Sequence, residues 1–150
     1  METTWQRITA SFGAQGLMET FGAQLVLVEN GEVHIAVPFS RHIAQQHGFL
    51  HGGAVAGLVD TACGYAALTQ APPECEVVTA EFKINMLRPA VGERFLAVGK
   101  VHNAGRTLAV CTGEIRAYVG EGDAYKVAAL MQATMAFVQH KAVQVERGAC

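Results

Sequence analysis

The chain has no stretch of like charge. Its eleven Lys and Arg and thirteen Asp and Glu stand singly, sum to a formal net charge of −2 and make only 16% of the 150 residues. With no basic stripe and no charged tail, the composition argues against nucleic acid as a main partner. Cysteine is also sparse: Cys63, Cys75, Cys111 and Cys150 are irregularly spaced with no C-x-x-C pair. That argues against a disulfide framework or a zinc site and fits a reducing cytoplasm. The opening Met1-Glu2-Thr3-Thr4-Trp5 lacks the basic start and apolar core of a signal peptide. The longest apolar runs, residues 54–68 and 127–138, are short and interrupted by Asp60 and Gln132, so neither is expected to span a bilayer. What remains is a single water-soluble domain, 1–150, whose 51% hydrophobic content supplies a core without staples.

The most informative stretch is His51-Gly52-Gly53 followed by small and apolar residues, Ala54 to Leu68. Leu58, Thr61, Ala62 and Tyr65 recur at helical spacing, and the two glycines leave backbone N–H groups open at a helix start, where an anion can bind. Asp60 is the only charged side chain between His51 and Glu74. A carboxylate in the middle of an apolar helix raises the free energy unless it has a partner or a task.

Around this helix the pattern is mostly strand. Trp5, Ile8 and Phe12 predict a short N-terminal helix capped by Thr3 or Thr4 and ended by the glycines at 13 and 16. Residues 21–28 and 32–39 read as a hairpin about Asn30-Gly31, with Val33, Ile35, Val37 and Phe39 on one face. After a polar loop, 40–48, the Gly-Gly helix is predicted to stop near Thr69, before Ala71-Pro72-Pro73. Val78, Ala80, Phe82, Ile84 and Met86 then alternate with Val77, Thr79, Glu81, Lys83 and Asn85, giving an apolar and a more polar face. Strands at 95–102, 107–119 and 125–138 follow, and the last dozen residues read as a frayed tail. Two strands, a long helix and four strands predict an α+β domain, an antiparallel sheet wrapped around one buried helix. Gly57, Ala62, Gly64, Ala66 and Ala67 would let the sheet approach closely.

With that layout, the segment Gln45-Gln46-His47-Gly48-Phe49-Leu50-His51-Gly52-Gly53, with Asp60 nine residues after His51, resembles the hotdog-fold acyl-CoA thioesterases of the PaaI-like branch. Residues 78–90 resemble the family's third strand, where a Ser or Thr faces the catalytic Asp, and Thr79 holds that place. The likeness covers about 20–138. It implies hydrolysis of acyl-CoA or aryl-CoA thioesters without cofactor or metal, in a homodimer at least and often a homotetramer of paired dimers. Many relatives carry Asn where Gln45 stands.

Thioester hydrolysis needs an activated water or nucleophile and donors aimed at the carbonyl oxygen. Asp60 is the expected base or nucleophile and the Gly52 N–H the oxyanion donor. Gln45 or His51 would fix the loop or polarise the carbonyl, and Thr79 would orient the water or the carboxylate. Gly53 is expected to adjoin the substrate. Arg88, Lys100, Arg106 and Lys126 are candidates for the coenzyme phosphates, with Arg106 first and Arg88 next. Gly52 and Asp60 are eight residues apart, roughly 12 Å along a helix at a rise of about 1.5 Å per residue, too far to meet one carbonyl. If both act, the site is composite between subunits.

Each residue also has a plainer reading. Asp60 could pair with an Arg, Gln45 could brace its loop, and Cys63 reads as a small core residue. His42, His47 and His51 lie close in sequence, but no carboxylate or cysteine joins them in the loop, so a metal is not expected. Two other functions fit the fold, a hydratase or dehydratase and a non-catalytic acyl-CoA binding or sensing module.

Overall fold

The computed structural model describes residues 1–143. Thr3 caps α1 (Thr4–Gly13) through a capping box: its hydroxyl accepts from the Gln6 N–H and the Gln6 side chain accepts from the Thr3 N–H. The chain does not leave helix for good at Gly16, as the glycines suggested. A second helix, α2 (Gly16–Phe21), follows and closes on Gly22 in the left-handed region at φ 66°. Phe21 therefore belongs to a helix rather than to the first strand. Met18, 1% exposed, buries this turn, and Phe21 packs partly against the same core.

Strands β1 (Gln24–Glu29) and β2 (Glu32–Pro38) form the expected hairpin, with Gly31 at φ 80° in its turn. Val33, Ile35 and Val37 point into the core, whereas Phe39 lies past the strand's end and is exposed. A single 3-10 turn, Arg41–Ile43, leads to α3 (Gly52–Leu68). Then come β3 (Cys75–Met86), β4 (Arg94–Ala104), β5 (Leu108–Tyr118) and β6 (Tyr125–Gln139). All six strands pair antiparallel in the order β1-β2-β4-β5-β6-β3. Ten of the seventeen residues of α3 are buried, which is why this helix is apolar nearly all round.

Only part of the small-residue set on α3 faces the sheet. Ala62, Ala66 and Ala67 are fully buried, Gly57 faces Leu17 and Phe21 of α2, and Gly64 opens into a cavity. The closest approach comes instead from two glycines of the sheet. Gly99 and Gly113 are directly paired across β4 and β5. A Cβ on Gly99 would lie 2.3 Å from the carbonyl carbon of Ala62, and one on Gly113 2.5 Å from a methyl of Val59. The helix backbone rests on bare sheet there.

Strand β3 departs from simple alternation. Its pairing with β6 shifts register between Thr79 and Glu81, a bulge at Ala80. One extra residue exchanges the two faces, so Thr79 does not share a face with Glu81, Lys83 and Asn85. It points inward, its hydroxyl 3.5 Å from the sulfur of buried Met135, while Glu81 accepts from Thr134 at the surface. Beyond the bulge Ile84 packs against the core, and Met86 reaches the start of α3. Strand β6 continues to Gln139, and a 3-10 turn, His140–Ala142, is tied back by the His140 N–H to the Glu74 carbonyl at 3.0 Å. The first part of the expected tail is thus ordered, and residues 144–150 lie outside the described residues. No helix among the described residues is long and apolar enough to cross a membrane.

Candidate active site

His51 is the N-cap of α3. Its Nδ1 accepts from the Gly53 N–H at 2.8 Å, so the ring fixes the loop, and a Cβ on Gly53 would crowd that nitrogen at 3.0 Å. The Gly53 N–H is thereby committed. The Gly52 N–H has no hydrogen-bond partner among the described residues and carries the free positive end of the helix. Gln45 braces the same loop, its side-chain oxygen accepting from the His47 N–H while its backbone N–H bonds the Phe49 carbonyl at 2.9 Å. Its amide nitrogen is left to donate elsewhere. Gly52 opens onto a groove of about 430 Å³ walled by Phe49, Val55, Met86, Leu87 and Arg88.

Asp60 opens elsewhere. It lies in a cavity of about 300 Å³ with Thr79, Tyr65, Ser11, Gln15 and Glu76, and none of these lines the Gly52 groove. The Thr79 hydroxyl donates to Asp60 Oδ1 at 2.8 Å. No cation pairs with Asp60 among the described residues, so the structural ion pair is not what holds it. Burial raises the Asp60 pKa from the ordinary carboxylate value, and the bond from Thr79, which favours the charged form, opposes that shift in part. A carboxylate with a raised pKa in a cavity is what a base at neutral pH requires.

The N-terminal helices contribute what the sequence pattern missed. The Tyr65 hydroxyl, on a side chain 5% exposed, bonds Ser11 Oγ at 3.1 Å and accepts from Gln15 Nε2 at 2.8 Å. Ser11 lies in the last turn of α1 and Gln15 is the N-cap of α2, so the junction between the two helices, which the sequence pattern did not show, brings them to one hydroxyl. Cys63 is fully buried, and burial, with Cys111 and Asp60 nearby, pushes its thiol well above the ordinary range. It is an inert core residue. Arg88 stands at the helix-start groove, whereas Arg106 lies in the β4–β5 turn and lines neither that groove nor the Asp60 cavity.

Residues 47–122 match the family model described as the thioesterase superfamily. The solved structure of a thioesterase family protein from Silicibacter pomeroyi is 40% identical and superposes with a TM-score of 0.87, covering 91% of this chain and 99% of that one. Among sequence relatives, the 1,4-dihydroxy-2-naphthoyl-CoA hydrolase of Listeria monocytogenes is 32% identical over 72 residues, 48% of this chain and 58% of its own. The PaaI protein from the phenylacetic acid degradation operon of E. coli shares the fold at a TM-score of 0.78 and 22% identity, over 90% of this chain and 93% of that one. A central helix opening on His-Gly-Gly inside a six-stranded antiparallel sheet is the hotdog arrangement, and with half of its length matched by the family model the chain belongs to the thioesterase superfamily.

Proposed function

We propose that this protein hydrolyses acyl-CoA or aryl-CoA thioesters and belongs to the PaaI-like branch of the superfamily. The observation that carries the reading is Asp60, a carboxylate with a raised pKa and no cation beside it among the described residues, which opens into a cavity and is held by Thr79. The naphthoyl-CoA hydrolase among the relatives supports a CoA thioester as substrate. Asp60 removes a proton from water as the oxygen attacks the thioester carbonyl, or attacks that carbon itself to give an anhydride that water then opens. In both routes the carbonyl oxygen accepts from the Gly52 N–H, with the Gln45 amide beside it, and the coenzyme leaves as thiolate. A hydratase would need a histidine poised across the substrate from an acid. His51 is instead spent on capping α3 through Nδ1.

The two halves of this machinery lie in separate cavities of one chain, so the site is proposed to form between subunits. Support comes from β3, an edge strand whose Val78, Phe82 and Met86 are 43%, 41% and 48% exposed. An apolar edge of this length calls for cover, and a second copy pairing there brings another helix start toward Thr79 and Asp60.

The test is free-thiol release from a panel of acyl-CoA and aryl-CoA thioesters, run on wild type and on mixed dimers. Asp60→Ala and Gln45→Ala chains are each expected to be weak, and a purified mixed dimer, isolated by two different tags, recovers close to half the wild-type rate. Its active site takes Asp60 from one chain and Gln45 with the helix start from the other. Mixed dimers as inactive as folded, dimeric parents would place both residues in one chain's site. Wild type that binds the thioesters without releasing thiol would make the protein a binding module.

The pH profile tests the Asp60–Thr79 pair. Activity by a base requires the ionised form, so the acid limb of kcat/KM is expected above the ordinary carboxylate range. Thr79→Val removes the bond that favours the anion and should move the limb to higher pH. A limb that stays in place would mean that Asp60 is not the titrating group.

A further inference from the structure

The polar trio under the N-terminal helices has no part in the chemistry described so far, yet it shares the cavity of about 300 Å³ with Asp60. A thioester whose carbonyl carbon is at Asp60 leaves its acyl chain beside that cavity. We propose that Ser11, Gln15 and Tyr65 decide which acyl group is accepted, and that they select a compact one ending in a neutral hydroxyl. The inference rests on the CoA thioester reading above and adds to it the class of acyl group. Ser11 and Gln15 precede residues 47–122, the part matched by the family model. The selection is thus written in the N-terminal helices of this chain and not in the shared part of the fold.

The hydrogen bonds within the trio leave valences over. The Tyr65 hydroxyl accepts from Gln15 Nε2 at 2.8 Å and is bonded to Ser11 Oγ at 3.1 Å. Two hydroxyls bring two protons and their mutual bond takes one. The other proton has no acceptor among the described residues, and the Gln15 side-chain oxygen has no donor. One donor and one acceptor therefore remain beside Tyr65, which is 5% exposed and whose ring lies 6.0 Å from that of Phe12. A hydroxyl on the substrate satisfies both, donating to Gln15 Oε1 and accepting the spare proton. A methyl group in its place satisfies neither and shuts out the water that otherwise would.

Charge and distance narrow the class further. Asp60 and Glu76 both line the cavity and no Lys or Arg does, while Arg7 and His140, the partners of Glu76, lie outside the lining. An acyl group ending in a carboxylate is disfavoured there. Tyr65 stands five residues after Asp60, roughly 7.5 Å along α3 at a rise of about 1.5 Å per residue. Gly64 between them leaves the way bare, with no heavy atom within 4 Å of a Cβ built on it. At ~1.2 Å of reach per bond of an extended chain, the span suits a polar atom about six bonds from the carbonyl carbon.

The experiment follows thiol release from three CoA thioesters of matched length, ω-hydroxyhexanoyl, heptanoyl and adipoyl, which end in a hydroxyl, a methyl group and a carboxylate. Wild type is expected to use the hydroxyl ester with a kcat/KM at least about tenfold above that for the methyl ester, and the carboxylate ester least well. Tyr65→Phe and Gln15→Leu should each cut that preference at least about fivefold. Thermal melts establish that each variant is folded. The ratio within one variant cancels any shared loss of active protein, so a merely structural role of the trio would leave it in place. A preference kept in both variants overturns the proposal, as does wild type that takes the methyl ester as readily as the hydroxyl ester. Wild type that is active on other members of the acyl-CoA and aryl-CoA panel but on none of these three overturns it as well, and leaves the thioesterase reading standing. Wild type that releases thiol from no thioester at all overturns both.

Discussion

Asp60→Asn is expected to lower kcat by at least about a hundredfold, since an amide can neither take a proton from water nor attack a carbonyl, and general-base catalysis contributes typically ~10²–10⁴-fold. The same substitution should leave the melting temperature unchanged or raise it. The Asn side-chain oxygen can still accept from the Thr79 hydroxyl, which now donates to Asp60 at 2.8 Å. The charge is the unfavourable part. Burial raises the folded-state pKa of Asp60 above its value in the unfolded chain. The folded protein therefore holds this proton at pH values where the unfolded chain has released it. The stability that comes from that difference is full below the unfolded pKa and is lost as pH rises through the folded one. At neutral pH the carboxylate is a stability burden kept for its chemistry, and Asn removes it. Thiol release and a thermal melt on one sample test both halves. A folded Asn variant that turns over at near the wild-type rate would remove Asp60 from the mechanism.

The largest expected loss of stability comes from a residue far from any chemistry. Gly99→Ala is expected to lower stability by about 3 kcal/mol or more, the upper end of what overpacking does in a core. For a domain of this size that is a fall in Tm of about 6–12 °C. The added methyl would lie 2.3 Å from the Ala62 carbonyl carbon, 2.4 Å from its oxygen and 2.5 Å from the Cys63 nitrogen. All three are backbone atoms of α3, so no rotamer change relieves the clash. Either the helix lifts off the sheet or β4 buckles away from β5. Gly64→Ala is the matched control. It lies on the same helix with no heavy atom within 4 Å of the added carbon, and replacing a helix-interior glycine should stabilise by roughly 0.5–1 kcal/mol. Equal melting temperatures for the two variants would mean that the helix does not rest on the sheet at Gly99.

The sequence by itself determined the class and most of the elements, though not α2. Asn30-Gly31 marks a tight turn, and Thr3-Thr4 ahead of Trp5, Ile8 and Phe12 marks a capped helix start. An apolar segment of seventeen residues opening on His-Gly-Gly has to be a helix covered on most sides. It also singled out Asp60, since a lone carboxylate in such a helix is anomalous before any fold is known. These signals are local and depend on residues a few positions apart.

What depended on distant parts of the chain had to wait for the tertiary structure. The face on which Thr79 lies was decided by the bulge at Ala80, and a bulge exists only in the register between β3 and β6. Strict alternation put Thr79 among the surface residues, while the paired strands turn it to Asp60, nineteen residues earlier in the chain. The importance of Gly99 and Gly113 is a property of two strands meeting one helix, and neither glycine stands in a turn that would mark it. Position likewise separated Arg88 from Arg106. Both follow or join strands, but only Arg88 stands beside the end of α3 that carries Gly52. Hydrogen-bonding and helical signals are written along the chain. Which surfaces share a cavity is set by how the sheet curves around the helix, and no short window of sequence contains that.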